Sequence, residues 1–261
     1  MRCAIPCGML FGTLQAIAAT FSVEALARDE SDATREAELE RARREYARRE
    51  REIASDTYAQ DRAVNLFFRQ GTERALVRLL DDAGLIPLSD KKILDVGCGS
   101  GTWLRLIEVL GAKDLAGVDL DDARLAKARA RLPAADLRSA SVDALPFEDA
   151  SFDVVSQFTV FTSILDESVR RDGAREMARV LKPGGAIAWY DFAFDNPRNR
   201  AVRGIRISEL RRLFPGFDVR FERTTLAPPI ARWSVPRFPF ASACLERARF
   251  LNTHVTAVLI R

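Results

Sequence analysis

The sequence predicts an α/β fold built on a mostly parallel β-sheet with helices on both faces. Two observations predict it. Short apolar strands alternate with amphipathic helical patterns from Lys92 onward, and a glycine-rich turn directly follows the first of these strands. Alternation of this kind is typical of βαβ units, whose parallel sheet is covered on both faces. With 261 residues, the chain is long enough for one such domain with additions.

The first residues have the composition of a leader rather than of a core element. Residues 3–27 are largely apolar, contain one charged side chain, Glu24, and end in small residues at Ala25 and Ala27. A secretory signal peptide has this outline, and a full membrane span needs about 20 apolar residues, which the segment barely reaches. We interpret residues 1–28 as a dispensable leader or a misplaced start. The alternative is an export or anchoring signal.

Residues 29–56 form a charge-dense arm in which Glu and Arg recur at spacings of three and four. This spacing predicts an exposed helix, with a disordered arm as the alternative. Residues 57–261 are predicted to form the folded domain. In its first part, residues 57–90, two amphipathic helical stretches are expected, separated at Gly71 and closed at Gly84.

The remaining elements follow in a regular order. Helical patterns are expected at Trp103–Leu110, Asp122–Leu132 and Glu167–Leu181. Strands are expected at Ile93–Val96, Leu115–Val118, Leu137–Ala140, Phe152–Gln157, Ala186–Phe192, Phe217–Leu226 and Thr253–Ile260. Residues 91–195 would hold the ligand-binding core. Residues 196–261 would supply a substrate-side segment and the last two strands.

Composition excludes several classes of function. The net charge is only +3, with acids and bases interspersed, whereas a dedicated nucleic-acid binder usually carries a strongly basic stripe. Four cysteines without a C-x-x-C pair, and a single histidine, argue against a Cys/His zinc site, so no metal is expected. Few and scattered cysteines suit a reducing cytoplasm.

The segment ILDVGCGSG, residues 93–101, carries the most chemical information. A buried strand enters a turn with Gly97, Gly99 and Gly101, and a helix follows. Glycine permits positive φ and a close approach of the backbone to a ligand, while the helix start offers free N–H groups. Asp95, two residues before the first glycine, does not favour a doubly anionic pyrophosphate. It suits a zwitterion, whose ammonium group a carboxylate can fix.

Several segments, in order, resemble class I methyltransferases of the type 11 group. They are ILDVGCGSG, then GVDL ending at Leu120, SVDALPFEDASFDVV from Ser141, and RVLKPGGAIAWYDF ending at Phe192. The resemblance covers residues 58–195. It implies a Rossmann-like fold with a seven-stranded, mostly parallel sheet and an antiparallel last strand. It also implies S-adenosylmethionine as the cofactor.

The resemblance assigns roles to individual residues around that cofactor. Asp95 and the three glycines would hold the methionine part, and Asp119 would accept hydrogen bonds from the ribose hydroxyls. Asp143 would accept a bond from the adenine amine, between Leu120 and Ala144 as apolar walls. Gln157 would touch the methionine part. The alternatives are a strand-end cap for Asp119, an Asx turn for Asp143 and a surface-facing side chain for Gln157. Cys98 is expected to fill the loop.

Two residues are candidate general bases, His254 at the start of the last strand and Asp191 at the end of the fifth. Both strand ends lie on the ligand-binding edge in this fold. Either residue has a purely structural alternative. Arg198, Arg203 and Arg232 are candidate substrate ligands, because guanidinium groups bind carboxylates and phosphates in a bidentate way. Their alternative is ion pairing with surface acids.

The expected function is transfer of a methyl group to an oxygen atom of a small-molecule or sugar acceptor that carries an anionic group. The protein is expected in the cytoplasm. A nicotinamide-dependent oxidoreductase is the alternative from another enzyme class. It is disfavoured because position 102, where G-x-G-x-x-G needs its third glycine, is a threonine. A non-catalytic methyltransferase-like module is the third possibility. Membrane contact is expected only through the apolar leader.

Overall fold

The computed structural model describes residues 33–48, 51–52, 62–196 and 199–261. The leader, parts of the charged arm and Arg198 lie outside these described residues. The sheet belongs to a compact unit of residues 42–261, and the described residues of the unit that precedes it, 33–41, are helical. The predicted helix of the charged arm is present over residues 33–48, which we call α1.

Seven strands form one sheet in the order β3-β2-β1-β4-β5-β7-β6. Strands β1 to β5 are parallel, whereas β7 is antiparallel to both β5 and β6. The strands are β1 Lys92–Val96, β2 Asp114–Asp119, β3 Asp136–Ser139, β4 Phe152–Phe158, β5 Leu181–Phe192, β6 Asp218–Leu226 and β7 Asn252–Ile260. The predicted fold, with its antiparallel last strand, is confirmed.

Helices cover both faces of this sheet. They are α2 Ala63–Asp82, α3 Thr102–Val109, α4 Asp122–Arg131, α5 Glu167–Val180, α6 Ile207–Leu213, α7 Pro228–Ser234 and α8 Pro239–Arg247. One apolar core, around Val155 and Trp189, is shared with α5 and α6. The other, around Leu76 and Ile93, is shared with α2, α3 and α4.

The prediction of two helices separated at Gly71 was wrong, because α2 runs without interruption from Ala63 to Asp82. A Cβ atom on Gly71 would lie 2.5 Å from Oε1 of Glu246 on α8. The glycine therefore permits close packing of two helices and does not mark a boundary.

The fifth strand was predicted to begin at Ala186, but β5 already begins at Leu181 and contains the segment Lys182–Gly185 as an irregularity. Phe152 pairs with Leu181, but Val154 already pairs with Ala186. Gly184 takes a φ of +75° there. The extra residues on β5 let the strand resume its pairing in register with β4.

The carboxyl ends of β1, β2, β4 and β5 meet at one edge of the sheet, as parallel strands require. Because β7 is antiparallel, its first residues lie at this same edge, where His254 pairs with Phe192. The connection from β6 to β7 also lies there, since Leu226 pairs with Asn252. We call this edge the carboxyl edge.

Candidate active site

The glycine turn lies at the carboxyl edge, between β1 and α3. Gly97, Gly99 and Gly101 have φ values of +70°, +52° and +76°, a region that L side chains rarely adopt. A Cβ on Gly97 would lie 2.3 Å from Cγ2 of Val160, and one on Gly101 would lie 3.1 Å from Leu132. These two glycines are needed for packing as well as for backbone conformation.

Gly99 differs from the other two glycines, because the space beside its Cα is open. The nearest atom to a Cβ there is Nη1 of Arg124, at 3.9 Å. The turn thus leaves backbone accessible at its centre, directly before α3, whose first N–H groups have no partner within the helix. We call the open turn at Gly99 the cradle, because its geometry leaves room for a ligand.

Asp95 lies on β1, two residues before the turn, and is buried. The Ser156 hydroxyl on β4 donates a hydrogen bond of 2.8 Å to its carboxylate. Burial raises the pKa of Asp95 to about 7, from 3.8. A buried carboxylate with this pKa holds its charge best when a cation lies beside it, which fits an ammonium group and does not fit a phosphate.

Asp119 ends β2 next to the turn. Its carboxylate accepts hydrogen bonds from the backbone N–H groups of Gly99, at 2.8 Å, and Asp121, at 3.0 Å. Burial raises the pKa of Asp119 as well. The side chain links the end of β2 to the centre of the glycine turn. Its remaining lone pairs can accept hydrogen bonds from hydroxyl groups. Its ribose-binding role stays a prediction.

The loops after β2 and β3 supply the residues predicted to surround adenine. Leu120 is partly buried and Ala144 is exposed. The Ser141 hydroxyl donates a hydrogen bond to the carboxylate of Asp143, and the backbone N–H of Ala144 donates to the carbonyl of Ser141. The loop is a tight turn that presents Asp143 beside Ala144, and the role of these residues toward adenine stays a prediction.

Gln157 is fully buried, so the alternative of a surface-facing side chain was wrong. Its Oε1 accepts the N–H of Val160, at 3.0 Å, and its Nε2 donates to the carbonyl of Tyr190, at 3.4 Å. The amide therefore fixes the loop that follows β4 against β5. A direct contact with the cofactor stays a prediction.

The loop after β4 contains residues that the sequence analysis missed. Thr159 has a φ of +60°, which is unusual for a β-branched residue, and its N–H donates to the carbonyl of Tyr190. This backbone conformation places Val160 against Gly97 of the turn. Positive φ at Thr159 has no sequence signal. Ser156, the partner of Asp95, was also missed, and its only signal is a polar residue within an apolar strand.

Cys98 fills space, as expected. A Cβ on Gly117 of β2 would lie 2.9 Å from its Sγ atom, and burial strongly raises the pKa of the thiol. The group is a neutral thiol at physiological pH and therefore a poor nucleophile.

His254 and Asp191 both lie at the carboxyl edge, but on opposite faces of the sheet. His254 stacks on the Tyr190 ring at 4.8 Å and contacts Phe192 at 3.9 Å. Burial lowers its pKa to about 3, so the imidazole is neutral at physiological pH and only weakly basic. Its Nδ1 lies 3.0 Å from the hydroxyl of Thr253.

Asp191 faces the α5 side and anchors the loop after β4. Its carboxylate accepts the hydroxyl and the N–H of Thr162, at 2.5 and 3.1 Å, and the N–H of Phe192, at 3.0 Å. Burial raises its pKa to about 7. The base roles of Asp191 and His254 both stay predictions, and these contacts describe the structural alternative.

The arginines predicted to bind substrate occupy different environments. Arg203 contacts Glu167 at 3.2 Å and Glu209 at 3.1 Å, which is the surface-pairing alternative. Arg232 is exposed on α7. In the part of the chain that the structure describes, no group of three or more His, Cys, Asp or Glu side chains is placed to hold a metal ion. Nor is any of its helices long and apolar enough to cross a membrane.

Part of the chain is similar to known proteins. Residues 93–185, which span the glycine turn, Asp119 and Asp143, match the family described as "Methyltransferase domain". The chain is 30% identical to a demethylmenaquinone methyltransferase of Chlorobaculum tepidum over 154 residues, covering 59% of this chain and 62% of that protein. It is 35% identical to a phthiotriol/phenolphthiotriol dimycocerosates methyltransferase of Mycobacterium tuberculosis over 136 residues, covering 51% and 45%.

The fold comparison agrees. An S-adenosylmethionine-dependent methyltransferase from Mesorhizobium loti superposes with a TM-score of 0.55 at 20% identity, covering 73% of this chain and all of that one. The chain spans between 36% and 62% of the length of the first curated relatives that it matches. The segment that matches the family, residues 93–185, is the core around the glycine turn.

Proposed function

We propose that this protein is a class I, S-adenosylmethionine-dependent methyltransferase that acts on a small organic or lipid acceptor, because residues 93–185 match the methyltransferase-domain family. One observation carries the proposal. The open glycine cradle at Gly99 lies between two buried carboxylates, Asp95 and Asp119. This combination suits a ligand with an ammonium group and paired hydroxyls, both of which S-adenosylmethionine has.

S-adenosylmethionine, when bound, supplies a methyl group already activated on a sulfonium. The residues of this chain then need only bind and orient the two substrates, and such positioning can contribute about 7–11 kcal/mol. Asp95 would hold the ammonium end of the cofactor and Asp119 its ribose. The loop fixed by Gln157 and Asp191 places Val160 beside Gly97 at the cradle. The proposed mechanism is therefore in-line transfer by positioning.

The acceptor is proposed to have a largely apolar body. On the His254 face, the carboxyl edge beyond the cradle carries aromatic side chains. The Trp103 and Phe158 rings are stacked at 4.2 Å, and Tyr190 stacks on the neutral His254. Phe158, Tyr190 and His254 are buried, whereas Trp103 is partly exposed, and an aromatic side chain that borders the acceptor would favour a planar or apolar substrate. The names of the two relatives above, a quinone and a lipid methyltransferase, support the same class.

Oxygen is the proposed site of methylation. A hydroxyl that is itself acidic, such as a phenol, needs little help from a base, and His254 with a pKa of about 3 offers little. The alternative acceptor is a sugar or another polar molecule with an anionic group bound by Arg198, Arg203 and Arg232. It is less favoured because Arg203 is already engaged by two glutamates.

The test is a pair of titrations followed by a transfer assay. Calorimetry with S-adenosylmethionine should give a Kd of roughly micromolar, about −8 kcal/mol, and NAD should not bind. Binding of NAD alone would support the oxidoreductase instead. Binding of S-adenosylmethionine without methyl transfer to any fraction of a host extract would support a non-catalytic module.

A further inference from the structure

The connection between β6 and β7, residues 228–251, carries an unusual number of exposed apolar side chains. Nine large apolar residues are exposed in the described part of the chain, and five of them lie in this connection. They are Trp233, Phe238, Phe240, Leu245 and Phe250. We call these five residues the apolar patch. Phe240 and Phe250 are 88% and 83% exposed, so the two rings are almost entirely in solvent.

The connection is nevertheless firmly folded. α7 packs through Ala231 and Val235 on a small apolar cluster that includes Phe67 of α2. α8 is tied down by the Ser242 hydroxyl, which donates to that of Ser234 at 2.8 Å. Ser242 is the only buried residue of α8. The exposed side chains therefore belong to ordered segments: Trp233 lies on α7, Phe240 and Leu245 lie on α8, and Phe238 and Phe250 flank α8. Exposed apolar side chains on ordered segments are typical of a binding surface.

The charge of the same segment is strongly positive. Residues 228–251 contain four arginines, Arg232, Arg237, Arg247 and Arg249, and a single acid, Glu246. Glu246 is itself paired with Arg74 of α2, at 3.2 Å. Among the described residues, only Arg249 of the four has a carboxylate within ion-pair distance, at 3.7 Å. The segment thus offers three arginines without an anionic partner beside exposed aromatic rings.

A cavity of about 810 Å³ adjoins α8, with α2 and β6 as its other walls. Five arginines line it against two glutamates, leaving an excess of three positive charges. The arginines are Arg74, Arg78, Arg223, Arg247 and Arg249. Guanidinium groups bind phosphate oxygens in a bidentate way, and a cavity of this size is large enough for a phosphate-bearing headgroup.

We propose that residues 228–251 dock the protein on an anionic phospholipid bilayer, with the apolar patch in the interface and the arginine cavity at a lipid phosphate. Aromatic side chains favour the membrane interface, and each arginine near an anionic surface strengthens binding. The connection joins Leu226 to Asn252 at the carboxyl edge. Docking would therefore bring the membrane to the edge that holds the cradle. The proposal does not depend on methyl transfer, because docking is measured without cofactor.

The experiment is vesicle co-sedimentation of the full chain. Vesicles of phosphatidylcholine alone are compared with vesicles that also contain phosphatidylglycerol, at low and high salt. The anionic vesicles should bind the protein at least tenfold more tightly, and added salt should weaken this binding. The double variant with Phe240→Ser and Phe250→Ser should bind anionic vesicles at least tenfold more weakly. Val109→Ser changes another exposed apolar side chain, on α3 and 69% exposed, and this control should bind as the wild type does.

A second pair of variants tests the charges. Arg237→Ala with Arg247→Ala should reduce binding to anionic vesicles at least tenfold, at about fivefold per arginine. Arg211→Ala with Arg212→Ala, two exposed arginines on α6, is the matched control. Equal binding of wild type and patch variants would overturn the proposal, because the apolar leader would then account for it. Self-association through the patch, or capture of inorganic phosphate without any vesicle binding, would overturn it too.

Discussion

Alanine substitutions at Gly99 and at Gly84 distinguish the loss of cofactor binding from the cost of backbone strain. Both glycines have a positive φ, +52° and +70°, and neither has an atom near enough to clash with a new Cβ. Left-handed backbone costs a non-glycine residue about 1–2 kcal/mol. We therefore expect both Gly99→Ala and Gly84→Ala to lower the free energy of unfolding by that amount. For a chain of this size, the melting temperature should fall by about 2–8 °C.

The two variants should differ in cofactor binding. The added methyl group at Gly99 fills the cradle, so S-adenosylmethionine should bind at least tenfold more weakly, a loss of about 1.4 kcal/mol or more. Gly84, at the end of α2, should leave the affinity unchanged. Calorimetric titration of both variants measures this difference. If Gly99→Ala bound the cofactor as tightly as Gly84→Ala, the glycine turn would not be the cofactor contact.

Four further outcomes are expected. In calorimetry, Asp119→Ala should bind S-adenosylmethionine at least tenfold more weakly, a loss of about 1.4 kcal/mol or more. The control Asp122→Ala, three residues later, should bind it as the wild type does. Equal affinities of the two variants would refute the ribose assignment. An ammonium group favours the ionised form of Asp95, whose pKa is about 7, so the affinity for S-adenosylmethionine should rise as the pH rises through 7. Asp95→Asn should remove this pH dependence. An unchanged pH dependence in the variant would exclude the contact. In the folded protein the pKa of Asp191 is about 7, above its ordinary 3.8, so the folded state keeps the proton up to a higher pH than the unfolded state does. The free energy of unfolding should therefore fall as the pH rises from about 4 to 7. Urea unfolding of Asp191→Asn should show a shallower fall over this range. His254 stays neutral above about pH 3, so His254→Gln should leave the pH profile of kcat/KM unchanged, and loss of a step near pH 6.5 in this variant would establish His254 as a base.

The parallel core could be predicted from sequence because local signals and tertiary structure agree there. The strand, glycine turn and helix of residues 93–109 each have a local pattern, and burial of the strand reinforces it. The same holds for α4 and α5, where Asp121 and Asp166 cap the first turn as the sequence pattern allows. Periodicity and capping chemistry were sufficient for these elements.

The carboxyl-terminal third was harder to predict from sequence. No helix was predicted between the last two strands, yet Pro228 and Pro239 begin α7 and α8 there. At the first position of a helix the missing N–H of proline costs nothing. Gly71 shows the same difficulty. A larger residue there would meet the Glu246 side chain on α8, which lies 175 residues later in the chain.

The site residues divide in the same way. Asp95, Asp119 and the glycines lie where the motif predicts, because the strand ends determine their positions. The pairing of Arg203 with Glu167 and Glu209 depends on the tertiary fold, and so does the opposite orientation of Asp191 and His254. Neither has a local signature in the sequence.

Transfer of labelled methyl from S-adenosylmethionine to an extract of the native host tests the central proposal most directly. The full chain is incubated with the labelled cofactor and the extract, and the products are divided into organic-soluble and aqueous fractions. We predict label in the organic fraction, and its loss with Asp119→Ala. Label confined to the aqueous fraction would contradict the apolar acceptor. No transfer to either fraction, by protein that binds the cofactor, would contradict the methyltransferase activity itself.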